Sequence, residues 1–236
     1  MSDTLDLDCG NTRLKYRFGK QRGSASYADG VPRVAAPAGV ARIRISSVLG
    51  PQRSEEIGQQ LGAMYDADCQ YAVSQQACAG VVNGYRDPGT MGVDRWLAVL
   101  AAYNRFGAAV VVDLGTAATF DYVNDQGMHL GGYIIPGLQL MQRSLLENTA
   151  EVRPEIATNL TDLPLGTSTH AAVSHGAMVT IVRLIEAELV RARQLCHHSA
   201  TLVLCGGDSQ AIAQHLRCPY QIVTDLVLDG LNYALP

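Results

Sequence analysis

The most constraining feature of this 236-residue sequence is a short pattern that occurs twice. An apolar run leads into Asp-x-Gly and a polar residue at 5–15, and again at 110–121. β-Branched and apolar residues favour strands, and a glycine two positions after the aspartate allows a tight turn. Alternating polar and apolar residues follow each turn, as expected of a return strand. The sequence therefore predicts two related halves, 1–107 and 108–236, each opening with a strand–turn–strand.

Segments with helical spacing alternate with these strands. Residues 92–103 predict a loop that leads into a helix, with Asp94 as N-cap or first-turn residue and Gly107 as the stop. This alternation in both halves predicts a mixed α/β fold in which helices cover the sheets. The other predicted elements are helices at 138–147 and about 169–196, and a strand at 201–205 followed by Gly206 and Gly207.

Composition excludes several classes of protein. The net charge is -4 and the basic residues are scattered, which disfavours nucleic-acid binding. Acidic residues at the N-terminus do not fit a signal peptide, and the apolar windows are too short to cross a membrane, so we expect a cytoplasmic protein with no membrane span. None of the six cysteines has C-x-x-C spacing and the six histidines lack H-E-x-x-H, so we expect reduced thiols and no zinc site.

The repeated turn offers a way to hold phosphate. The sequence has neither G-x-x-x-x-G-K-[ST] nor G-x-G, which removes the P-loop and the dinucleotide fingerprint. A glycine-containing turn presents backbone N–H groups and Thr or Asn side chains to phosphate oxygens, and the aspartate at the strand end can hold a cation or a water. A single Asp-x-Gly is more often an ordinary hairpin. Two copies, followed by Gly206-Gly207 after a third strand, favour a nucleotide site.

Five motifs in the chain resemble those of type III pantothenate kinases. They are D-x-G-N-T-x-x-K at 8–15, G-x-D-R at 92–95, D-L-G-T-A-x-T at 113–119, G-G-x-I-x-P-G at 131–137 and G-G-D at 206–208. The resemblance implies the acetate and sugar kinase/actin-like superfamily, with two ribonuclease-H-like domains and ATP in a cleft between them. It also implies a homodimer, magnesium with ATP, a potassium or ammonium ion, and phosphorylation of pantothenate in the first step of coenzyme A synthesis.

On the acceptor side, the resemblance assigns Asp94 as proton acceptor for the pantothenate hydroxyl. Gly92, Val93 and Arg95 would contact the same substrate, and Tyr85 would line its pocket. The alternative for Asp94 is an N-cap paired with Arg95.

The resemblance also implies that Thr169 reaches pantothenate from the second subunit, so that the substrate site lies near the subunit interface. Alternatively, Thr169 only caps the following helix.

On the nucleotide side, the resemblance places the first phosphate loop at Asp8, Cys9, Gly10, Asn11, Thr12, Arg13, Leu14 and Lys15. Lys15 would supply a point charge near phosphate, with a solvated strand lysine as the alternative. Asp113 matches the monovalent-cation ligand and Thr116 an ATP contact. Gly206 and Gly207 would let adenosine approach the backbone, or would simply form a turn before a helix. Asp121 would assist a divalent metal or face solvent.

Two departures from the family pattern stand out. Thr149-Ala150 is followed by Glu151-Val152-Arg153-Pro154, where the family has an apolar residue and Leu-Pro, and Cys9 replaces an aliphatic residue. Two other functions stay open at this point: a non-enzymatic accessory factor for gene expression of the same family, and a kinase of the same superfamily with another small substrate.

Overall fold

The computed structural model describes residues 3–27, 34, 39–146, 163–196 and 199–236. The chain forms two compact units, one running up to Asn104 and including Asp225–Pro236, the other comprising Arg105–Thr224. The sequence assigns 225–236 to the second half, whereas in the structure these residues pack with the first unit. The departure from the family pattern at 149–154 lies outside the described residues. Glu147, the last residue of the helix predicted at 138–147, also lies outside them.

The sheet of the first unit has five strands: β1 (Thr4–Cys9), β2 (Arg13–Phe18), β3 (Gln21–Ser26), β4 (Arg42–Ser47) and β5 (Asp68–Tyr71). β1 pairs antiparallel with β2, and β2 antiparallel with β3. β4 lies parallel to β1, and β5 parallel to β4. The resulting order is β3-β2-β1-β4-β5, so the central strand β1 carries the first Asp-x-Gly turn at its end.

Helices α1 (Pro51–Tyr65), α2 (Val93–Phe106) and α6 (Leu226–Ala234), a hairpin of β6 (Ala77–Cys78) and β7 (Val81–Val82), and a 3-10 turn at Pro88–Thr90 complete this part of the chain. Leu5, Leu7 and Cys9 alternate along β1 and are buried in one core with Ile57 and Leu61 of α1. This is the period-two pattern of a strand with a buried face meeting the buried stripe of a helix.

Charged side chains from the same sheet hold α6. Arg44 donates from Nε to Asp6 Oδ1 at 2.7 Å and from Nη2 to Asn232 Oδ1 at 2.7 Å. Arg17 forms ion pairs with Asp6 and with Asp229 of α6. Because Arg44 also donates to the Leu235 carbonyl, its positive charge lies at the negative end of the helix dipole. These contacts explain why the C-terminal residues belong to the first unit.

The second unit repeats the sheet of the first. Its strands are β8 (Ala109–Leu114), β9 (Ala117–Val123), β10 (His129–Pro136), β11 (Thr201–Cys205) and β12 (Gln221–Ile222), in the order β10-β9-β8-β11-β12. The β8–β9–β10 pairs are antiparallel, and β11 is parallel to β8 and to β12. The predicted two related halves therefore share one sheet topology, and the predicted mixed α/β class is confirmed.

The helices of the second unit are α3 (Leu138–Leu146), α4 (Thr169–Leu195) and α5 (Ser209–Ala213). Ile181, Ile185 and Leu189 form the buried stripe of α4 and pack in one core with Val110 and Val112 of β8. Gly107, predicted as a helix stop, has φ +74° immediately after α2, a conformation that favours glycine.

Three expected absences can be compared with the described part of the chain. None of its helices is long and apolar enough to cross a membrane. Its His, Cys, Asp and Glu side chains form no group of three suited to a metal ion. All six cysteines are free thiols, of which Cys9, Cys196 and Cys205 are buried.

Candidate active site

The turn between β1 and β2 presents the first predicted phosphate loop. Gly10 donates its N–H to the Arg13 carbonyl at 3.1 Å, which closes the turn. Asn11, Thr12 and Arg13 are exposed, so the turn is open to a ligand. Such a turn supplies backbone N–H groups and polar side chains to an anion.

The eight residues predicted for this loop divide between turn and core. Cys9 and Leu14 face the core, so only their backbone can serve a ligand. Burial, reinforced by the negative charge of Asp8, raises the pKa of the Cys9 thiol to about 12, and Cys9 is therefore a packing residue and not a nucleophile. Asp8 and Lys15 are direct neighbours in the β1–β2 register, and both are partly exposed.

The predicted catalytic aspartate lies in the first turn of α2. Asp94 is partly exposed, and its Oδ1 accepts the Arg95 backbone N–H at 2.8 Å. A carboxylate at this place benefits from the positive end of the helix dipole. A Cβ on Gly92 would lie 2.7 Å from Asp94 Oδ1, so glycine leaves room for the carboxylate. The structure thus places Gly92 and Asp94 together at the start of the helix, as the G-x-D-R motif predicts.

Tyr85 and Arg95, both predicted to contact the substrate, form a side-chain pair, and Arg95 directly follows Asp94 in the chain. Arg95 is buried, donates from Nη1 to the Tyr85 hydroxyl at 2.7 Å and holds its guanidinium carbon 5.7 Å from the centre of the Tyr85 ring. Val93 is also buried. Sequence reasoning missed Asn83, whose Oδ1 accepts the Tyr85 N–H at 3.0 Å. The Asn-Gly pair at 83–84 is a turn signal that points to this residue.

In the second unit, the β8–β9 turn is the second copy of the predicted phosphate-binding turn. Gly115 donates its N–H to the Ala117 carbonyl at 3.0 Å, and Thr116 at the tip is exposed. Gly137 donates to the Thr116 carbonyl at 3.0 Å, just before α3 begins. A Cβ on Gly137 would lie less than 3.0 Å from the Gly115 and Thr116 carbonyls. The G-G-x-I-x-P-G motif therefore ends in a glycine because the helix start packs directly on the turn.

The glycines after β11 pack on the aspartate of the same turn. Gly206 has φ +88°, and a Cβ on it would lie less than 3.0 Å from Asp113 Oδ1 and the Leu114 carbonyl. Asp208 donates its N–H to that carbonyl at 3.0 Å, and burial raises the pKa of its carboxyl group. Gly207 is exposed and has open space at its Cβ position. The structure thus brings Asp113, Thr116, Gly206 and Gly207 to one corner of the second sheet.

The structure contradicts one of the two alternatives for Asp121, exposure to solvent, and one of the two for Thr169, capping of α4. Asp121 is buried and lies 3.0 Å from His129 Nε2, so it does not face solvent. His129 pairs with Val123, which lies on the same face of β9 as Asp121, and this pairing brings the histidine beside the carboxylate. Thr169 does not cap α4, because the cap is Ser168, whose Oγ accepts the Ala171 N–H at 3.1 Å. Thr169 is exposed.

The residues present fit a nucleotide and a cation by their chemistry. Each unit offers an exposed turn with a partly exposed aspartate at the strand end, and Gly206 places no side chain beside Asp113. Backbone N–H groups suit phosphate, and carboxylate and carbonyl oxygens suit hard cations.

The sequence profile of the type III pantothenate kinase family matches residues 4–191 of the chain. A type III pantothenate kinase of Ectopseudomonas mendocina is 37% identical over 245 residues, covering 98% of each chain. One from Cellvibrio japonicus is 34% identical over 244 residues, covering 97% of this chain and 95% of its own.

Solved structures support the fold. A conserved putative Baf family transcriptional activator from Campylobacter jejuni aligns with a TM-score of 0.64 at 20% identity, covering 97% of this chain and 95% of its own. A putative 2-dehydro-3-deoxygalactonokinase from Sinorhizobium meliloti aligns with a TM-score of 0.52 at 16% identity, covering 97% and 94%. These two likenesses concern the fold alone, whereas the sequence matches span nearly the whole length of the chain and show that it belongs to the type III pantothenate kinase family.

Proposed function

We propose that this protein transfers the γ-phosphoryl group of ATP to the primary hydroxyl of pantothenate, giving 4'-phosphopantothenate for coenzyme A biosynthesis. The observation that carries the proposal is the partly exposed Asp94 carboxylate in the first turn of α2, flanked by Gly92 and by the Tyr85–Arg95 pair. Family membership indicates the substrates, and this geometry indicates Asp94 as the group that accepts the proton of the pantothenate hydroxyl.

Asp94 acts chiefly by orienting the acceptor. Phosphoryl transfer passes through a loose transition state, so holding the attacking oxygen in line matters more than early proton removal. The bond from the Arg95 N–H to Oδ1 fixes the carboxylate of Asp94, which then accepts the substrate hydroxyl proton late in the reaction.

For the nucleotide, we assign the phosphates to the turn within 8–15 and to Thr116, and the adenosine to Gly206 and Gly207. Asn11, Thr12 and Thr116 are exposed at their turns, which supports the assignment. Magnesium bound to ATP would neutralise charge on the phosphates. Asp113 would hold a potassium or ammonium ion, a role supported by its partly exposed carboxylate beside Gly206.

The working form in this proposal is a cytoplasmic homodimer in which Thr169 of one subunit serves the substrate site of the other. An exposed apolar surface on the edge strand β10 supports self-association: Leu130 is 42%, Tyr133 40% and Ile134 60% exposed. Thr169 is available for such a contact because Ser168 performs the capping.

A second candidate function is non-enzymatic regulation, since the Campylobacter jejuni protein of similar fold is described as a putative transcriptional activator. The retained Asp8, Asp94 and Asp113 favour catalysis over it. A coupled assay of ADP formation with ATP, magnesium and pantothenate, with and without potassium, tests the choice. Turnover that requires pantothenate supports the kinase, whereas no ATP consumption by folded protein overturns it. Turnover with other small alcohols but not with pantothenate would identify a different kinase.

A further inference from the structure

Asn83 carries a buried hydrogen-bond donor that nothing in the described part of the chain satisfies. Its side chain is only 3% exposed. Oδ1 accepts the Tyr85 N–H at 3.0 Å, so the amide orientation is set by that bond. Nδ2 is buried and has no hydrogen-bond partner among the described residues. Within the described residues, therefore, only the oxygen of this amide forms a hydrogen bond: Oδ1 positions Tyr85, and Nδ2 can still donate.

Buried donors without partners are few in native proteins, and each one needs an explanation such as a water or a ligand. Asn104 provides the contrast within the same unit, because its Nδ2 donates to the Ala79 and Leu100 carbonyls at 3.0 and 2.9 Å. The lack of a partner for Asn83 Nδ2 therefore reflects the position of this residue.

That location is the wall of the proposed acceptor site. Asn83 holds the backbone of Tyr85, the Tyr85 hydroxyl accepts from Arg95, and Arg95 follows Asp94 directly. The unsatisfied Asn83 donor therefore lies beside residues proposed to bind pantothenate, and a ligand that carries an acceptor oxygen would satisfy it.

We propose that Asn83 recognises the acceptor substrate, with Nδ2 donating a hydrogen bond to a carboxylate or amide carbonyl oxygen of pantothenate while Oδ1 positions Tyr85. The inference rests on the proposed function. It adds a residue with two separable roles, since one atom of the amide serves the protein and the other serves the substrate.

The substitution Asn83→Asp separates these roles, because it keeps an oxygen for the Tyr85 N–H and replaces the donor with a second acceptor. We expect KM for pantothenate to rise about tenfold or more, since an oxygen would then face an oxygen. KM for ATP should stay within about twofold, because the nucleotide does not meet this residue. The pantothenate-dependent rise in melting temperature should fall in parallel, which measures binding without turnover.

Asn104→Asp is the matched control. It breaks two hydrogen bonds in the same unit, so it should lower the melting temperature and leave KM for pantothenate unchanged. Asn83→Ser, whose hydroxyl can also accept the Tyr85 N–H, gives the same comparison if Asn83→Asp does not fold.

Pantothenol, in which an alcohol replaces the carboxylate, distinguishes the two oxygen sources. A penalty for Asn83→Asp that persists with pantothenol assigns the bond to the amide carbonyl, and a penalty that disappears assigns it to the carboxylate. A folded Asn83→Asp protein with unchanged KM for pantothenate overturns the inference and leaves the kinase proposal intact. A wild-type protein that does not phosphorylate pantothenate overturns both.

Discussion

Gly206 lies directly against Asp113, so close that a Cβ on the glycine would fall less than 3.0 Å from the aspartate Oδ1. That Cβ would also lie less than 3.0 Å from the Leu114 carbonyl oxygen, which accepts a hydrogen bond from the Asp208 N–H. The end of β11 and the Asp-x-Gly turn of β8 are therefore fitted to each other, and the glycine is required both by this contact and by its φ of +88°.

We expect Gly206→Ala to destabilise the protein by about 1–3 kcal/mol, through overpacking against Asp113 and strain at positive φ. Urea unfolding followed by circular dichroism measures the loss. Gly207→Ala is the matched control for stability, because its Cβ would enter open space. Equal stability of the two variants would contradict the close packing.

Asp94→Asn should lower kcat for pantothenate phosphorylation by about 10²-fold or more, because the amide can neither accept the proton nor orient the hydroxyl in the same way. Asp94 is partly exposed and its Oδ1 bonds to the backbone of its own helix, so the melting temperature should change little. Steady-state kinetics and a thermal melt on the same sample separate the two effects. A kcat within a few-fold of wild type would remove Asp94 from the mechanism.

Asp113→Asn should abolish the stimulation by potassium, because the variant lacks the carboxylate proposed to hold the ion. Rates measured against potassium concentration at constant ionic strength, with sodium as the control cation, test this. A wild-type-like potassium response in the variant would place the monovalent ion elsewhere.

Asp6→Ala should destabilise the protein by about 3–5 kcal/mol, because it leaves the charges of Arg17 and Arg44 buried with one partner fewer. Asp3→Ala is the control, since Asp3 is exposed and its carboxylate lies at 3.5 Å from the Thr4 hydroxyl. Chemical denaturation measures both. Equal effects would show that the arginines do not depend on Asp6.

The parts of the fold that depend on local sequence could be predicted. Each hairpin needs only an apolar strand, a glycine turn and an alternating return strand, and the observed turns at Gly10 and Gly115 follow those signals. The packing of α6 on the first sheet could not be predicted from local sequence, because it depends on Arg44 and Arg17, which lie near the other end of the chain. Periodicity shows that a helix is amphipathic but does not identify the sheet that receives it.

Site residues show the same division. Gly92 and Asp94 could be placed by their motif, because the motif coincides with a helix start. Asn83 could not, since its role depends on a side-chain contact with Tyr85. For Asp121, strand alternation indicates a face of the sheet but does not reveal the His129 side chain that buries it. The cap at Ser168 rather than at the next residue reflects the one-residue uncertainty of helix ends.

The last prediction concerns pH and rests on Glu186 of α4. Burial alone would raise the pKa of Glu186, but hydrogen bonds from the Arg217 backbone N–H at 2.9 Å and Arg183 Nη1 at 2.6 Å outweigh it and lower the pKa. A carboxyl group with a lowered folded-state pKa stabilises the fold above its unfolded pKa and loses this contribution as the pH falls.

Glu186→Gln should therefore reduce the free energy of unfolding by about 0.5–1 kcal/mol at pH 7, the range for a partly exposed pair. The difference from wild type should begin to shrink as the pH falls below the ordinary glutamate pKa of 4.5 and should vanish once the pH is below the lowered folded-state pKa, where Glu186 is protonated and both side chains are uncharged. Urea unfolding at pH 7 and at pH values on either side of 4.5 measures it. A difference that does not depend on pH would mean that the loss comes from packing and not from the charge of Glu186.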